Sequence, residues 1–216
     1  MTDRTQPGGT ALIYVHGLWM TGGESVLLRR RLGQAHGYQI EVLRYPSRSA
    51  PIGQLAAQLR DRLASIEASR VHLVGHSLGG LVILRCLERY PMRQPGRVVL
   101  LGTPALGSVA ARHIGQWRWG RRLLGVAIGQ ELLAEHQRHW SGDRDLGIIA
   151  GTSSIGLAAL LVRFTEDNDG VVALSETQLP GAKDFLRLGT SHSGMLLSAR
   201  VAREVGNFLE HGSFGR

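Results

Sequence analysis

Residues 71–80 read VHLVGHSLGG, an apolar run that enters a glycine-rich turn and continues into a second apolar segment at residues 81–84. The first run predicts a buried strand, and the second has the character of a buried helix. The turn GHSLG at residues 75–79 must therefore change direction sharply, which holds its serine in a strained backbone conformation. Side chains in place of the outer glycines would collide where strand and helix approach. The stretch predicts a parallel α/β fold with Ser77 above the carboxyl edge of the sheet.

The rest of the chain alternates short apolar runs with longer helical patterns, which is typical of a mainly parallel sheet covered by helices. We predict six strands, at 12–15, 40–44, 71–74, 98–101, 146–150 and 185–188, and helices over 24–36, 51–68, 78–89 and 194–210. A chain of 216 residues suits one domain over residues 1–216. Residues 104–145 contain no strand-like run and predict a small, lid-like helical insertion over one edge of the sheet.

The charge of the chain is strongly basic. The formal net charge is +8, almost all of it from arginine, because Lys183 is the only lysine. The arginines are scattered over helical segments, and no recognition helix or stacking strand accompanies them, so we expect no nucleic-acid partner. The stretch WRWGRR at residues 117–122 places tryptophans beside arginines, a pattern that leaves open a transient contact with a membrane surface.

Two features of the sequence bear on its compartment. The start, MTDRTQPGG, lacks the charged-then-apolar pattern of a secretory leader, and no window approaches ~18 uninterrupted apolar residues. Cys86 is the single cysteine, so an intramolecular disulfide is impossible, which fits a reducing compartment. We therefore expect a cytoplasmic protein.

A second motif, LIYVHG at residues 12–17, ends a predicted strand and precedes a loop that contains glycine. Acyl transfer builds an oxyanion, and two backbone N–H donors must already face the point where its charge develops. The residue after the candidate nucleophile, Leu78, would give one donor. Leu18 is the preferred second donor, with Trp19 as the alternative. We expect His16 to hold this loop in place through hydrogen bonds.

The acid and the base are expected downstream of Ser77, in the chain order serine, acid, histidine. His192 lies between the last predicted strand and the terminal helix, a position that returns its imidazole to the carboxyl edge of the sheet. Three carboxylates crowd into the loop before that strand, and we favour the one at the turn before glycine, with its neighbour as the alternative. These carboxylates are Glu166, the alternative Asp167 and the favoured Asp169.

A metal site is not expected. His136 and His139, with Glu135 nearby, have a suggestive spacing, but no clear further ligand accompanies them. A serine, a histidine and a carboxylate suffice for acyl transfer. We therefore predict no metal and no cofactor.

Five motifs in this order resemble those of small α/β-hydrolases of the esterase and lipase type, in particular compact, lipase-like members without a large cap domain. The motifs are VHG at 15–17, GHSLGG at 75–80, LGTP at 101–104, DNDGVV at 167–172 and GTSHSGML at 189–196. The resemblance implies an α/β-hydrolase fold, Ser77 as nucleophile with Asp169 and His192 as its partners, and the amides of Leu18 and Leu78 as the oxyanion hole.

The sequence then favours a serine hydrolase that cleaves carboxylic esters of a small-molecule or lipid substrate through an acyl-enzyme. Hydrolysis of thioesters or acyl transfer with the same triad is an alternative, and a non-catalytic lipid-binding module on this scaffold is another.

The candidate residues of a substrate pocket are Trp19, His76, Trp117 and Trp119. His76 would line the turn beside the nucleophile. We hypothesise that the tryptophans of the insertion, Trp140 included, lie over the acyl pocket and set the preferred acyl length; alternatively, they pack the insertion onto the sheet.

Overall fold

A parallel sheet forms the centre of the protein. The computed structural model describes residues 8–117, 120, 138–155 and 164–215. The strands are β1 (Thr10–Val15), β2 (Gln39–Leu43), β3 (Arg70–His76), β4 (Val98–Leu101), β5 (Leu146–Gly151) and β6 (Asp184–Leu188). Their order is β2-β1-β3-β4-β5-β6, and every neighbouring pair is parallel. All six predicted strands are confirmed, with ends that differ by at most two residues.

A helix lies between each pair of successive strands, as parallel strands require, and a last helix follows β6. They are α1 (Val26–His36), α2 (Ile52–Ala64), α3 (Leu78–Arg89), α4 (Val109–Gly115), α5 (Leu174–Thr177) and α6 (Ala199–His211), with 3-10 turns at Gly23–Ser25 and Gly194–Leu196. The helix predicted over 194–210 is interrupted. The hydroxyl of Ser198 accepts a hydrogen bond of 3.2 Å from the Val201 amide, so α6 begins only after this cap.

The two faces of the sheet carry separate cores. Ala11, Ile13 and Val15 of β1 pack in one core with residues of α2 and α3. Leu12 and Tyr14, which alternate with them, pack in the other with residues of α1 and α6. Side chains point alternately to the two faces of a strand, so a strand buried on both sides is apolar throughout. None of the helices in the described ranges has both the length and the apolar character needed to cross a bilayer.

The insertion at 104–145 is described only in part. α4 lies within it, as a helical insertion predicts, whereas Trp119, Glu135 and His136 lie outside the described residues. The placement predicted for Trp140 is wrong. Its amide donates to the carbonyl of Pro180 at 2.8 Å, and its indole N–H donates to that of Arg144 at 2.9 Å. Both partners precede strands, so this buried ring lies at the amino edge of the sheet, away from Ser77, and packs the insertion onto the core.

Candidate active site

Ser77 occupies the junction between β3 and α3. Its backbone has φ 53° and ψ −122°, a left-handed conformation that is strained for a residue with a Cβ. Such strain costs about 1–3 kcal/mol, so its surroundings must hold it in place. The Ser77 amide donates to the carbonyl of Leu101 at 2.9 Å, and the hydroxyl of Thr103 donates to the Ser77 carbonyl at 3.2 Å. The last residue of β4 and the segment that follows it therefore fix both ends of the serine backbone.

The glycines of the turn have the role that the sequence predicts. A Cβ on Gly75 would lie 2.6 Å from Cα of Gly80, and one on Gly79 would lie 2.0 Å from the carbonyl oxygen of Val15. Both distances are far below van der Waals contact between backbone atoms. Glycine is needed at both positions because β3, α3 and β1 approach so closely here.

His192 and Asp169 form a buried pair at the same edge of the sheet. Nδ1 of His192 lies 2.7 Å from Oδ2 of Asp169, and the exposed fractions are 6% and 1%. The other carboxylate oxygen, Oδ1, accepts hydrogen bonds from the amides of Val171 at 3.0 Å and Val172 at 2.8 Å. The His192 amide donates to the Asp169 carbonyl at 2.8 Å. The acid is thus held by its own turn, and it holds both the ring and the backbone of the histidine.

The alternative acid, Asp167, lies outside this pair. Its side chain is 62% exposed, and Oδ2 is 3.8 Å from Nη1 of Arg187. Glu166 accepts hydrogen bonds from the amide and the hydroxyl of Ser175. Of the three carboxylates in this loop, Asp169 is therefore the one that contacts His192.

The LGTP motif at 101–104 contributes two residues whose roles the sequence analysis missed. Gly102 has φ 52°, and a Cβ there would lie 2.9 Å from Oδ2 of Asp169 and 3.0 Å from Nδ1 of His192. Thr103 bonds to the Ser77 backbone, as described above. The available signal was a glycine directly after a buried strand, which marks a close approach of backbone to another group.

The loop after β1 lies against Ser77. A Cβ on Gly17 would lie 3.3 Å from Cβ of Ser77. The Trp19 amide donates to Oγ of Ser47 at 3.1 Å, so Trp19 is not available as the alternative oxyanion donor. Within the described residues, no internal hydrogen bond uses the amides of Leu18 or Leu78. These two amides remain the candidate donors.

His16 has the structural role that the sequence predicts. Its Nδ1–H donates to the Gly17 carbonyl at 2.9 Å, and its ring stacks on Tyr45 with centroids 4.1 Å apart. The Tyr45 hydroxyl donates to the His16 carbonyl. Burial lowers the pKa of His16, which favours its neutral form. The loop beside Ser77 is therefore supported by a buried ring pair.

Three of the four predicted pocket residues are described, and they differ in exposure. Trp19 is 55% exposed with the guanidinium of Arg48 6.0 Å from its ring, and Trp117 is 43% exposed with its ring edge-on to His113. His76, in contrast, has an exposed fraction of 0%. The prediction that His76 lines a substrate pocket is wrong, because a side chain so fully enclosed presents no surface to a ligand.

Comparison with known proteins identifies the family of this chain. The profile of the alpha/beta hydrolase family matches residues 12–204, from β1 into α6. The chain belongs to the alpha/beta hydrolase family. A curated relative, the rice (Oryza sativa) protein named "Probable esterase PIR7A", is 30% identical over 119 residues, which are 51% of this chain and 44% of that protein. The alignment thus spans less than half of the length of the curated relatives.

Solved structures of two carboxylesterases and a thioesterase share the fold. A metagenomic carboxyl esterase superposes with a TM-score of 0.62 at 21% identity, over 88% of this chain and 66% of the other. The RedJ thioesterase of the prodiginine pathway in Streptomyces coelicolor gives 0.59 at 15% identity, over 98% and 89%. Carboxylesterase CesB of Bacillus subtilis gives 0.59 at 13% identity, over 97% and 86%. At these identities the likeness concerns the fold.

In this α/β-hydrolase, the serine and the histidine reach the site from different elements. No hydrogen bond joins the Ser77 hydroxyl to His192 within the described residues. Catalytic hydrogen bonds are often long before substrate binds, so this geometry is compatible with proton transfer in a complex. In the described parts of the chain, no three His, Cys, Asp or Glu side chains are grouped to hold a metal ion.

Proposed function

We propose that the protein is a serine hydrolase of carboxylic esters, with Ser77 as nucleophile, His192 as base and Asp169 as the residue that orients the base. One observation carries the proposal. The buried pair of Asp169 and His192 lies at the carboxyl edge of the sheet, where β3 ends in the strained turn of Ser77. A carboxylate on one ring nitrogen fixes the imidazole tautomer and leaves the other nitrogen to accept a proton.

The reaction proceeds in two steps. Oγ of Ser77 attacks the ester carbonyl carbon while its proton passes to Nε2 of His192. The tetrahedral intermediate collapses, the C–O bond to the alcohol breaks, and the imidazolium returns the proton to the leaving oxygen. Water then attacks the acyl-enzyme and gives a proton to His192, which passes it to Oγ of Ser77 as the free acid departs. The carboxylate of Asp169 stabilises the imidazolium in both steps.

The negative charge of each tetrahedral intermediate is stabilised by the amides of Leu18 and Leu78. Leu78 is the first residue of the twelve-residue helix α3, so its amide belongs to the group that has no partner within the helix. The positive end of the helix dipole adds to this stabilisation. Gly17 lies against Ser77, and this supports the amide of the next residue, Leu18, as the second donor.

A fluorophosphonate probe and one substitution test the proposal. The probe should label Ser77, and Ser77→Ala should lose both the labelling and the hydrolysis of an aryl ester. Ser193→Ala, an exposed serine beside His192, is the matched control and should keep both. Wild-type turnover by the Ser77→Ala enzyme would refute the mechanism.

Two alternative reactions use the same triad. Thioester hydrolysis differs from ester hydrolysis in the leaving group, and acyl transfer differs in the acyl acceptor. The curated relative bears the name of an esterase, and the structural neighbours include both carboxylesterases and a thioesterase. Matched oxygen esters and thioesters with one acyl chain separate ester from thioester hydrolysis by their kcat/KM. Product analysis with added alcohol detects acyl transfer. We favour oxygen esters, with a small-molecule or lipid acyl group, over these alternatives.

A contact with a lipid surface fits the same edge of the molecule. Six well-exposed large apolar residues lie between the carboxyl end of a strand and the first turn of the following helix: Trp19, Val26, Leu27, Val109, Ile155 and Leu197. Exposed apolar side chains gathered on one side of a basic protein suit an anionic lipid–water boundary. We include transient membrane contact in the proposed function on this ground.

A further inference from the structure

His76 connects the two loops that carry the site. It is the last residue of β3, and its ring is enclosed between the loop after β1 and the loop after β6. Nε2 lies 3.0 Å from the carbonyl oxygen of His192, and the ring centroids of the two histidines are 4.6 Å apart. On the other side, a Cβ on Gly17 would lie 3.2 Å from Nδ1 of His76.

The hydrogen bond defines the protonation of this ring. A carbonyl oxygen only accepts, so Nε2 of His76 must carry the proton and donate a hydrogen bond to the backbone carbonyl of His192. Burial, and then the charge of His192, lower the pKa of His76 to about 3. Nδ1 is buried and has no hydrogen-bond partner among the described residues. His76 is therefore a neutral Nε2–H imidazole, and it does not compete with His192 for a proton at neutral pH.

If packing were its only role, the imidazole of His76 would be an unfavourable side chain for the stability of the fold. A buried polar atom without a hydrogen-bond partner destabilises the folded state, and an apolar ring of similar size would avoid this loss. The remaining nitrogen bonds to the residue that the proposed mechanism uses as its base. A histidine at this position is therefore explained if its hydrogen bond holds His192, the proposed base, in place.

We propose that His76 is a positioning residue for His192. Its donated hydrogen bond fixes the backbone of the loop that carries His192. Its ring fixes the plane of the His192 imidazole, which Asp169 holds at one nitrogen. The inference rests on the proposed function, because it concerns the base of that reaction. A single hydrogen bond donated to Asp169 leaves the imidazole of His192 free to tilt about the bond axis. The contact with the His76 ring, inclined by 47°, restricts this tilt.

Two substitutions separate positioning from packing. His76→Phe keeps a ring but removes the donor, whereas the amide of His76→Gln can reach the Nε2 position and donate to His192. Packing alone predicts that Phe is tolerated at least as well as Gln. Positioning predicts the reverse: kcat should fall about 10²-fold in His76→Phe, the scale of a small misplacement of a catalytic group, and much less in His76→Gln. KM should change little in either, because the interaction acts on the base and not on the bound ester.

A spectroscopic signal accompanies the kinetics. The proton between His192 and Asp169 should give a downfield proton resonance in the wild type and in His76→Gln, and a shifted or broadened one in His76→Phe. Wild-type kcat and an unchanged resonance in His76→Phe would overturn the inference, as would an equal loss of kcat in both variants. If His76→Phe does not fold, His76→Met, which also lacks the donor, takes its place with the same expected loss.

Failure of the inference and failure of the proposed function give different results. An inactive Ser77→Ala enzyme with a fully active His76→Phe enzyme would overturn only the role of His76. Retained hydrolysis by Ser77→Ala would overturn the proposed function, and the role of His76 with it.

Discussion

Gly102 faces the carboxylate of Asp169 so closely that a Cβ on the glycine would lie 2.9 Å from Oδ2. The same Cβ would lie 3.0 Å from Nδ1 of His192, so it would press on the hydrogen bond between acid and base. A left-handed φ adds about 1–2 kcal/mol of strain for any residue with a Cβ. Gly102→Ala should therefore lower kcat about 10²-fold by displacing the pair. Gly189→Ala is the control, since a Cβ there meets nothing within 4 Å, and equal activity of the two variants would contradict the prediction.

The two aspartates of the acidic loop should differ sharply in their effect on catalysis. Asp169→Asn keeps the shape of the side chain but removes the charge that stabilises the imidazolium, and kcat should fall by about 10⁴. Asp167→Asn removes only an exposed ion pair with Arg187 and should leave kcat close to that of the wild type. Steady-state kinetics of both variants on one aryl ester make the comparison. The reverse order of the two losses would move the acid to Asp167.

Trp117 and Trp140 should separate acyl selectivity from packing. Trp117 is 43% exposed, and in our hypothesis it borders the acyl pocket, so Trp117→Ala should change the dependence of kcat/KM on acyl length. Each buried CH₂ is worth about 0.8 kcal/mol, or roughly a factor of four per methylene. Trp140→Ala opens the core at the opposite edge and should lower the free energy of unfolding by about 3–5 kcal/mol. A uniform loss at every chain length in Trp117→Ala would favour a packing role for that residue as well.

The stability of the protein should fall in mild acid because of His72. Burial, and then the charges of Arg70, Arg97 and Arg144, which together outweigh the opposing effect of Glu210, lower the pKa of His72 from an ordinary 6.5 to about 4. The unfolded chain then binds a proton that the folded chain does not, so this stability is complete above pH 6.5 and is lost as the pH falls toward 4. The loss from this one group is about 3 kcal/mol.

His72→Asn tests the acid effect. In the wild type the Arg97 amide donates a hydrogen bond of 3.0 Å to Nδ1 of His72. The side-chain carbonyl of Asn can accept this hydrogen bond instead, and Asn does not titrate. Chemical denaturation at pH 7.5 and 4.5 should show a smaller difference in unfolding free energy for His72→Asn than for the wild type. The exposed His139→Asn is the control. An unchanged difference in His72→Asn would remove His72 from the explanation.

Lipid contact at the carboxyl edge should depend on both apolar side chains and charge. We expect cosedimentation with vesicles of phosphatidylcholine and phosphatidylglycerol, and less with phosphatidylcholine alone. Val26→Ser combined with Leu197→Ser should weaken this binding while leaving hydrolysis of a soluble short-chain ester unchanged. Met92→Ser, away from that edge, is the control. Equal binding of wild type and double variant would exclude these residues from the contact.

The local sequence was sufficient to predict the strands, the main helices and the serine turn. Each of these follows from interactions over a few residues: alternation along a strand, the apolar run of a buried helix, and glycines where backbones touch. The order of the motifs led us to favour His192 among the histidines after Ser77, and the structure pairs it with Asp169. In a parallel sheet, residues that follow strands return to one edge whatever the length of the connections between them.

Only the tertiary structure decided which groups touch. Asp167 and Asp169 are nearly equivalent in sequence, yet the turn at residues 167–172 directs one to solvent and the other to His192. His76 has a side chain that polarity would place at a pocket surface, but the loops after β1 and β6 close over it. Trp140 belongs to the segment expected above the site and packs at the opposite edge. Such contacts join residues far apart in the chain, so their distances depend on how the layers pack and not on any local pattern.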